Sequence, residues 1–388
     1  MLARKEFNAL NLIRAEGVPP DEELARKLGC SLRKAGSLVR RFCATGWLRK
    51  DRFGLSYRGM RKLKPYKVDN AIIMAAGMSS RFAPLSYEKP KGVLEVKGEV
   101  LIERQIRQLQ EAGISDITVV VGYMKEKFLY LREKCGVDIV VNQDYCRFNN
   151  TSTLIRVKDR LKNTYVCSSD NYFTENVFEP YVYHAYYAAA YFPGKSDEWG
   201  LRANSKGRIV EIRHSPVDMW CMMGHVYFDR RFSVAFRRLL TSEYERDETR
   251  QGLWECLFEK HLGELDMEIR KYPEGVVREF DTLNELRAFD KRYVDDTGSA
   301  IFRNICNVLH CRESAISGIE VMKQGLTNLS FKFSVGGRAY VYRHLGAGTE
   351  GYISRRSEAY SHDLPDRHVG GACAYKHFMQ QLPKKGCV

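Results

Sequence analysis

The sequence has no apolar run of the length that a bilayer requires, about 20 predominantly apolar residues. Its start, Met1-Leu2-Ala3-Arg4-Lys5-Glu6, has no apolar signal core behind it. Its 11 cysteines are odd in number and lack paired short spacings, which argues against a disulfide framework and against a zinc site. These absences together lead to the expectation of a reduced, cytoplasmic protein with no membrane span.

What is present divides unevenly. At 388 residues the chain is expected to hold two or three domains. A hydrophobic content of 44% is ample for packed cores and speaks against general disorder. Residues 1–69 carry 17 Lys and Arg against 7 Asp and Glu, so they hold +10 of the chain's +14. A basic module therefore precedes a nearly balanced body, and such a bias points to a polyanion partner for that module.

Within that module Phe7, Leu10 and Ile13 recur at helical spacing. Asp21 can cap a second helix carrying Leu24, Ala25 and Leu28, which Gly29 ends. Ser31 can cap a third with Leu32, Ala35, Val39 and Phe42 on one face. "GWLRKDRFGLSYRG" then reads as two short strands around a turn at Asp51–Gly54, and "RKLKPYK" (61–67) as a charged linker. The pattern resembles bacterial winged helix-turn-helix domains over roughly residues 1–65. That resemblance implies a third helix in the major groove of duplex DNA, presenting Arg33, Lys34, Arg40 and Arg41. A trihelical docking module with a solvated basic face is the alternative.

From residue 69 strands alternate with helices. The pattern predicts strands at 71–75, 117–121, 138–141 and 165–168, and helices at 101–112, 125–134 and 151–161. Such alternation implies an α/β fold with a mostly parallel sheet, whose ligands bind outside the carboxyl ends of the strands. "MAAGMSSRFAPLSYEKPKG" (74–92) falls at that place. Ala75, Ala76 and Gly77 let backbone amides approach a ligand closely. Met78 follows, Ser79 and Ser80 add donors, and Arg81 and Lys91 are cations suited to phosphate oxygens. The loop has neither the Gly-Lys-Ser/Thr ending of a P-loop nor the three-glycine dinucleotide fingerprint.

Ala-Ala-Gly-Met-Ser-Ser-Arg-Phe, Pro-Leu-Ser and Lys-Pro-Lys-Gly in that order resemble the signature of nucleotidyltransferases that activate sugar phosphates and phosphocholine. In that family the third small position is often Gly; here it is Ser79. "VGYMKEKFLYLREKCGVDIVVNQDY" (121–145), "FNNTSTL" (148–154) and "YVCSSDNYF" (165–173) are similar to bacterial CTP:phosphocholine cytidylyltransferases, over residues 69–292. The resemblance implies a Rossmann-like nucleotidyltransferase domain. It implies CTP as nucleotide with Asn149, Asn150 and Thr153 near the cytidine, and Mg²⁺ held by Asp170 and Asp281. The family often has Asp where Ser168 stands. Asp170 as a turn-forming Asx residue and Asp281 as the N-cap of a helix over 282–290 are the structural alternatives.

A quaternary ammonium cannot donate hydrogen bonds, so its sites use aromatic faces and carboxylates. Tyr172, Tyr191, Trp199, Trp220 and Trp254 are candidates for a phosphocholine cage, with Glu198 and Glu255 beside two of the tryptophans. Each tryptophan can equally be core.

"QGLTNLSFKFSVGGRAYVYRHLGAGTE" (324–350) reads as two strands around a Gly336-Gly337 hairpin turn. It resembles the start of bacterial choline kinases. The resemblance gives Arg343 the place of their phosphate-reading cation and Glu358 that of its helix partner. After Ser361 the resemblance stops, and the kinase catalytic loop and magnesium Asp do not follow, as expected of a truncation or a reading-frame change. The expected domains are thus 1–68, 69–292 and a partial kinase-like small lobe, 300–388. The expected activity is CMP transfer from CTP to phosphocholine. Activation of a sugar phosphate or another alcohol phosphate is the rival within enzymes, and a DNA-binding regulator using the fold as a ligand sensor the rival outside them.

Overall fold

The computed structural model describes residues 1–51, 53–322, 328–345 and 377–381. The chain opens with helices α1 (Arg4–Glu16), α2 (Asp21–Lys27), α3 (Leu32–Ala44) and α4 (Tyr57–Leu63). Phe7, Leu10, Ile13, Leu24, Val39 and Phe42 are buried in one cluster, as their helical spacing requires. Asp21 is the first helical residue of α2; its cap is Pro20. The two expected wing strands reduce to one antiparallel bridge, Leu48 with Leu55, because Asp51 turns the chain at once by accepting the Phe53 amide at 3.0 Å. Residues 61–67 are no loose linker. Leu63 and Tyr66 are buried, since they close the apolar side of the helices. The Tyr66 hydroxyl accepts the Leu2 amide at 2.8 Å, and its ring stacks on Tyr183 of the following unit at 5.7 Å.

The central unit begins with β1 (Asn70–Ala75), the short pair β2 (Glu95–Val96) and β3 (Glu99–Val100), helix α5 (Leu101–Glu111) and β4 (Ile117–Val121). Then come α6 (Leu131–Cys135), β5 (Asp138–Val141), α7 (Thr151–Arg156), β6 (Thr164–Ser168) and β7 (Asn171–Phe173). The order β5-β4-β1-β6 is parallel throughout. β1 and β4 read as continuous apolar runs because both of their faces are covered. Two predicted helices are shorter than their patterns: 125–134 is a 3₁₀ turn followed by α6, and 151–161 ends as α7 at Arg156.

The sheet continues where the sequence pattern was silent. β8 (Tyr186–Lys195), β9 (Gly200–Ala203), β10 (Ile209–Arg213) and β11 (Val217–Phe228) follow, and β11 pairs antiparallel to β6, β8 and β9. After α8 (Arg230–Glu243), α9 (Asp247–Gln251) and α10 (Trp254–Lys260), β12 (Glu268–Lys271) joins β8 in parallel. This completes nine strands among the described residues. β13 (Val277–Glu279) pairs with β7, and α11 (Leu283–Phe289) and α12 (Arg292–Asp295) follow. The fold is an α/β domain of Rossmann-like type with a mostly parallel centre.

The last unit holds α13 (Ala300–Leu309) and the antiparallel strands β14 (Ser317–Val321), β15 (Asn328–Val335), β16 (Arg338–Leu345) and β17 (His377–Gln381), paired in that order. Gly336 and Gly337 form the β15–β16 turn with φ of 55° and 75°, a geometry that glycine adopts without a Cβ penalty. Arg343 lies on β16; Glu358 lies outside the described residues. This unit shares one apolar cluster with Phe82, Leu85, Tyr87, Leu94 and Val96. No helix among the described residues is long and apolar enough to cross a membrane.

Candidate active site

β1 and β6 run side by side, Met74 opposite Ser168, so the loops that leave their carboxyl ends emerge together. The Ser169 amide donates to the Met74 carbonyl at 3.1 Å and ties the two exits. Between them opens a cavity of about 220 Å³. Ala75, Ala76, Gly77, Ser79, Lys91, Asn149, Asn150, Thr153 and Asp170 line it. Met78, Ser80 and Arg81 are not part of its lining. Ser79 sits at φ 47°, a left-handed conformation that costs a non-glycine residue energy, which explains why glycine suits this position.

Lys91 is 5% exposed, and its Nζ lies 2.9 Å from Asp170 Oδ2. Burial alone would lower its pKa; the carboxylates of Asp170, Glu279 and Asp281 outweigh that and hold it above the ordinary lysine range. Arg81 is exposed and reaches Asp281 Oδ1 at 3.1 Å. Asp281 is not the helix cap. Thr282 caps α11 by accepting the Glu285 amide, which leaves the Asp281 carboxylate to Arg81. Gly92 lets the Lys91 turn press against Ser169, because a Cβ there would stand 2.9 Å from the Ser169 Oγ.

Residues outside the sequence motifs complete the site. Glu279 ends β13, two positions before Asp281. Its carboxyl is pushed up to about 8, by burial first and then by Asp170. Buried Asn142 donates to Ser152 Oγ at 2.8 Å and Thr153 Oγ1 at 3.2 Å, holding α7 against the cavity. Tyr145 and Phe148 add ring faces to the cavity wall.

The carboxyls Asp170, Glu279, Asp281 and Glu198 gather here with the cations Lys91 and Arg81. Burial first, and then the nearby Asp281, raise the Glu198 pKa. The hard oxygens of Asp170 and Asp281 are of the type that suits a divalent cation such as Mg²⁺. Among the described residues no three His, Cys, Asp or Glu side chains form a metal cage.

The expected cage does not assemble as drawn. Trp254 is 1% exposed; it stacks on Tyr187 at 5.8 Å and packs on Phe228, Phe236 and Phe258. It is core because α10 turns that side chain into the apolar layer behind the sheet. Tyr172 is buried, and the Arg104 guanidinium already covers its ring at 4.6 Å. Trp220 carries Lys271 Nζ at 4.7 Å and the edge of Tyr191 at 5.7 Å. Half-buried Trp199 meets His214 edge-on at 4.4 Å. Glu255 is placed differently from its neighbour Trp254. It accepts Asn150 Nδ2 at 3.2 Å and the Tyr187 hydroxyl at 3.1 Å, and burial pushes its carboxyl up to about 7.

In the N-terminal unit Arg33, Lys34 and Arg40 are exposed on α3. Arg41 is drawn back to Glu6 on α1, because that carboxylate lies one helix away.

Comparison with known proteins bears on these features. The MobA-like NTP transferase domain matches residues 71–252. The 2-aminoethylphosphonate cytidylyltransferase of Lancefieldella rimae is 35% identical over 229 residues, 58% of this chain and 93% of that protein. The choline-phosphate cytidylyltransferase of Streptococcus pneumoniae is 31% identical over 221 residues, 57% of this chain and 96% of that protein. A solved CTP:phosphocholine cytidylyltransferase of Streptococcus pneumoniae superposes with a TM-score of 0.56 at 31% identity, over 57% of this chain and 98% of its own. With a parallel β1–β6 centre, the signature loop at its carboxyl end and relatives matched over nearly their whole length, this chain belongs to the cytidylyltransferase family of MobA-like nucleotidyltransferases.

Proposed function

We propose that this chain transfers CMP from CTP to a small phosphate ester with a cationic amine head, with phosphocholine as the first candidate, and releases pyrophosphate. A phosphate oxygen of the acceptor attacks the α-phosphorus, and the bond to the β-phosphate oxygen breaks. The acceptor is already a good nucleophile, so positioning and charge stabilisation suffice. The observation that carries the reading is the pairing of Lys91 with Asp170 in the cavity wall, with Asp281, the partner of Arg81, close enough for Lys91 to feel its charge. Lys91 and Arg81 would offset charge on the nucleotide phosphates and the leaving group. Amides of residues 76–79 would hold the phosphates, and Asn149, Asn150 and Thr153 would flank the base. Asp170 and Asp281 would hold Mg²⁺, which supplies further charge neutralisation when bound.

A second acceptor, an aminoalkylphosphonate, is favoured by one observation. The rings expected to form a cage are core or face other side chains, whereas Glu198 is a half-buried carboxyl beside Asp281 and Arg81. A primary ammonium can donate to such groups and a trimethylammonium cannot. Pyrophosphate release with CTP and Mg²⁺ is measured over phosphocholine, phosphoethanolamine, 2-aminoethylphosphonate and glucose 1-phosphate. The reading expects turnover with at least one of the amines. Turnover with the sugar phosphate alone would refute it.

For the N-terminal unit we keep duplex DNA as the proposed partner, supported by the exposed Arg33, Lys34 and Arg40. The full chain should bind DNA with steep salt dependence, and replacing these three by Ala should weaken binding. No binding at low salt would leave the docking role.

A further inference from the structure

We propose that the C-terminal unit, together with the α11–α12 segment that leads into it, is a positioning element for the nucleotide loop, gripping residues 87–97 from outside the cavity, with Glu88 as its central contact. The proposal rests on the reading of that loop as the phosphate-binding one. Glu88 Oε1 accepts the amides of Ala300 at 2.8 Å and Ile301 at 3.1 Å. These open the ten-residue helix α13, whose N-terminal dipole favours an anion. The Ser299 hydroxyl caps the same turn by accepting the Phe302 amide at 3.1 Å.

On the far side of Lys91 a second grip closes. The Lys97 amide donates to Asp290 Oδ2 at 2.7 Å. Arg292 Nη1 reaches Glu95 Oε1 at 2.8 Å, and the Tyr293 hydroxyl donates to the Glu95 carbonyl at 2.8 Å. Between the two grips the loop buries Leu94 and Val96 in the cluster that holds Ile301, Phe302 and Phe331, and Tyr87 packs on the Phe331 ring at 6.1 Å. Lys91 is thus suspended between two contacts that both lead outward to residues 290–331. Its inward contact is Asp170. Any phosphate must draw its Nζ through a small displacement, and a misplacement of about 1 Å at such a group is costly.

The test measures Mg·CTP affinity by calorimetry without acceptor, and KM for CTP and for acceptor, well below the melting temperature. Glu88→Ala should weaken CTP about tenfold and leave the acceptor KM within about twofold. Glu88→Gln keeps the accepting oxygen and should stay within about threefold of the parental chain. Arg292→Ala, on the exposed side of the second grip, should weaken CTP in the same direction by a smaller factor. Parental CTP affinity in both alanine variants overturns the proposal. So does parallel loss of both substrates with a lowered melting temperature, which would make the unit a general scaffold. A parental chain that binds no nucleoside triphosphate would instead sink the loop reading, and this proposal with it.

Discussion

Glu255→Gln should change the pH dependence of stability in a calculable way. Burial moves the Glu255 carboxyl from an ordinary 4.5 up to about 7. Native protein therefore holds one more proton than the unfolded chain between those values. Stability falls through that window as pH rises, by 1.36 kcal/mol per pH unit at most. The shift of roughly 2.5 units corresponds to ~3 kcal/mol lost between pH 4.5 and pH 7. Gln carries no charge at any pH, so the variant escapes this loss. Its amide must turn an NH₂ towards one of two donors, Asn150 Nδ2 or the Tyr187 hydroxyl, at a cost of about 1 kcal/mol that does not vary with pH. The variant should then be about 1 kcal/mol less stable than the parental chain at pH 4.5 and about 2 kcal/mol more stable at pH 8. Urea unfolding at several pH values measures the difference, in which all other titrating groups cancel. A difference that stays constant from pH 4.5 to pH 8 would refute the account of Glu255.

Four further outcomes are expected. Asp170→Ala and Asp281→Ala should each abolish turnover with the melting temperature nearly kept; near-parental activity at saturating Mg²⁺ would remove that residue from the metal site. Trp254→Leu should cost roughly 2–4 kcal/mol by leaving a cavity among Tyr187, Phe228 and Phe236. Trp199→Leu should weaken the acceptor and spare CTP, and equal weakening of both would return Trp199 to the core. Gly92→Ala should lower kcat/KM by more than about tenfold, because its Cβ meets Ser169 Oγ at 2.9 Å. Ser169→Gly should recover part of that loss, and an unchanged rate for Gly92→Ala would show that the loop yields.

Much of the parallel half of the fold is written locally. β1 and β4 are runs of apolar residues whose length and composition suffice to place them, and α5 follows from its periodicity and from Gly113 beyond it. The nucleotide loop is legible for the same reason: small residues, hydroxyls and cations in one short stretch have a chemistry that needs no distant partner. β8 to β11 were not legible, because an antiparallel extension is set by pairing across tens of residues, as Trp220 with Tyr191. Adjacent residues also part ways only in three dimensions. Trp254 and Glu255 are neighbours in sequence, yet the turn of α10 sends one into the apolar layer and the other to Asn150 and Tyr187. Glu88 looks like one more surface charge until α13, more than 200 residues later, brings its amides to it. Glu279 belongs to no sequence motif, and only the meeting of β13 with β7 carries its carboxyl to Asn171 and the field of Asp170. Sequence determines which groups can bind phosphate and metal. Tertiary structure decides which are brought together, because burial and charge fields depend on distance through space and not along the chain.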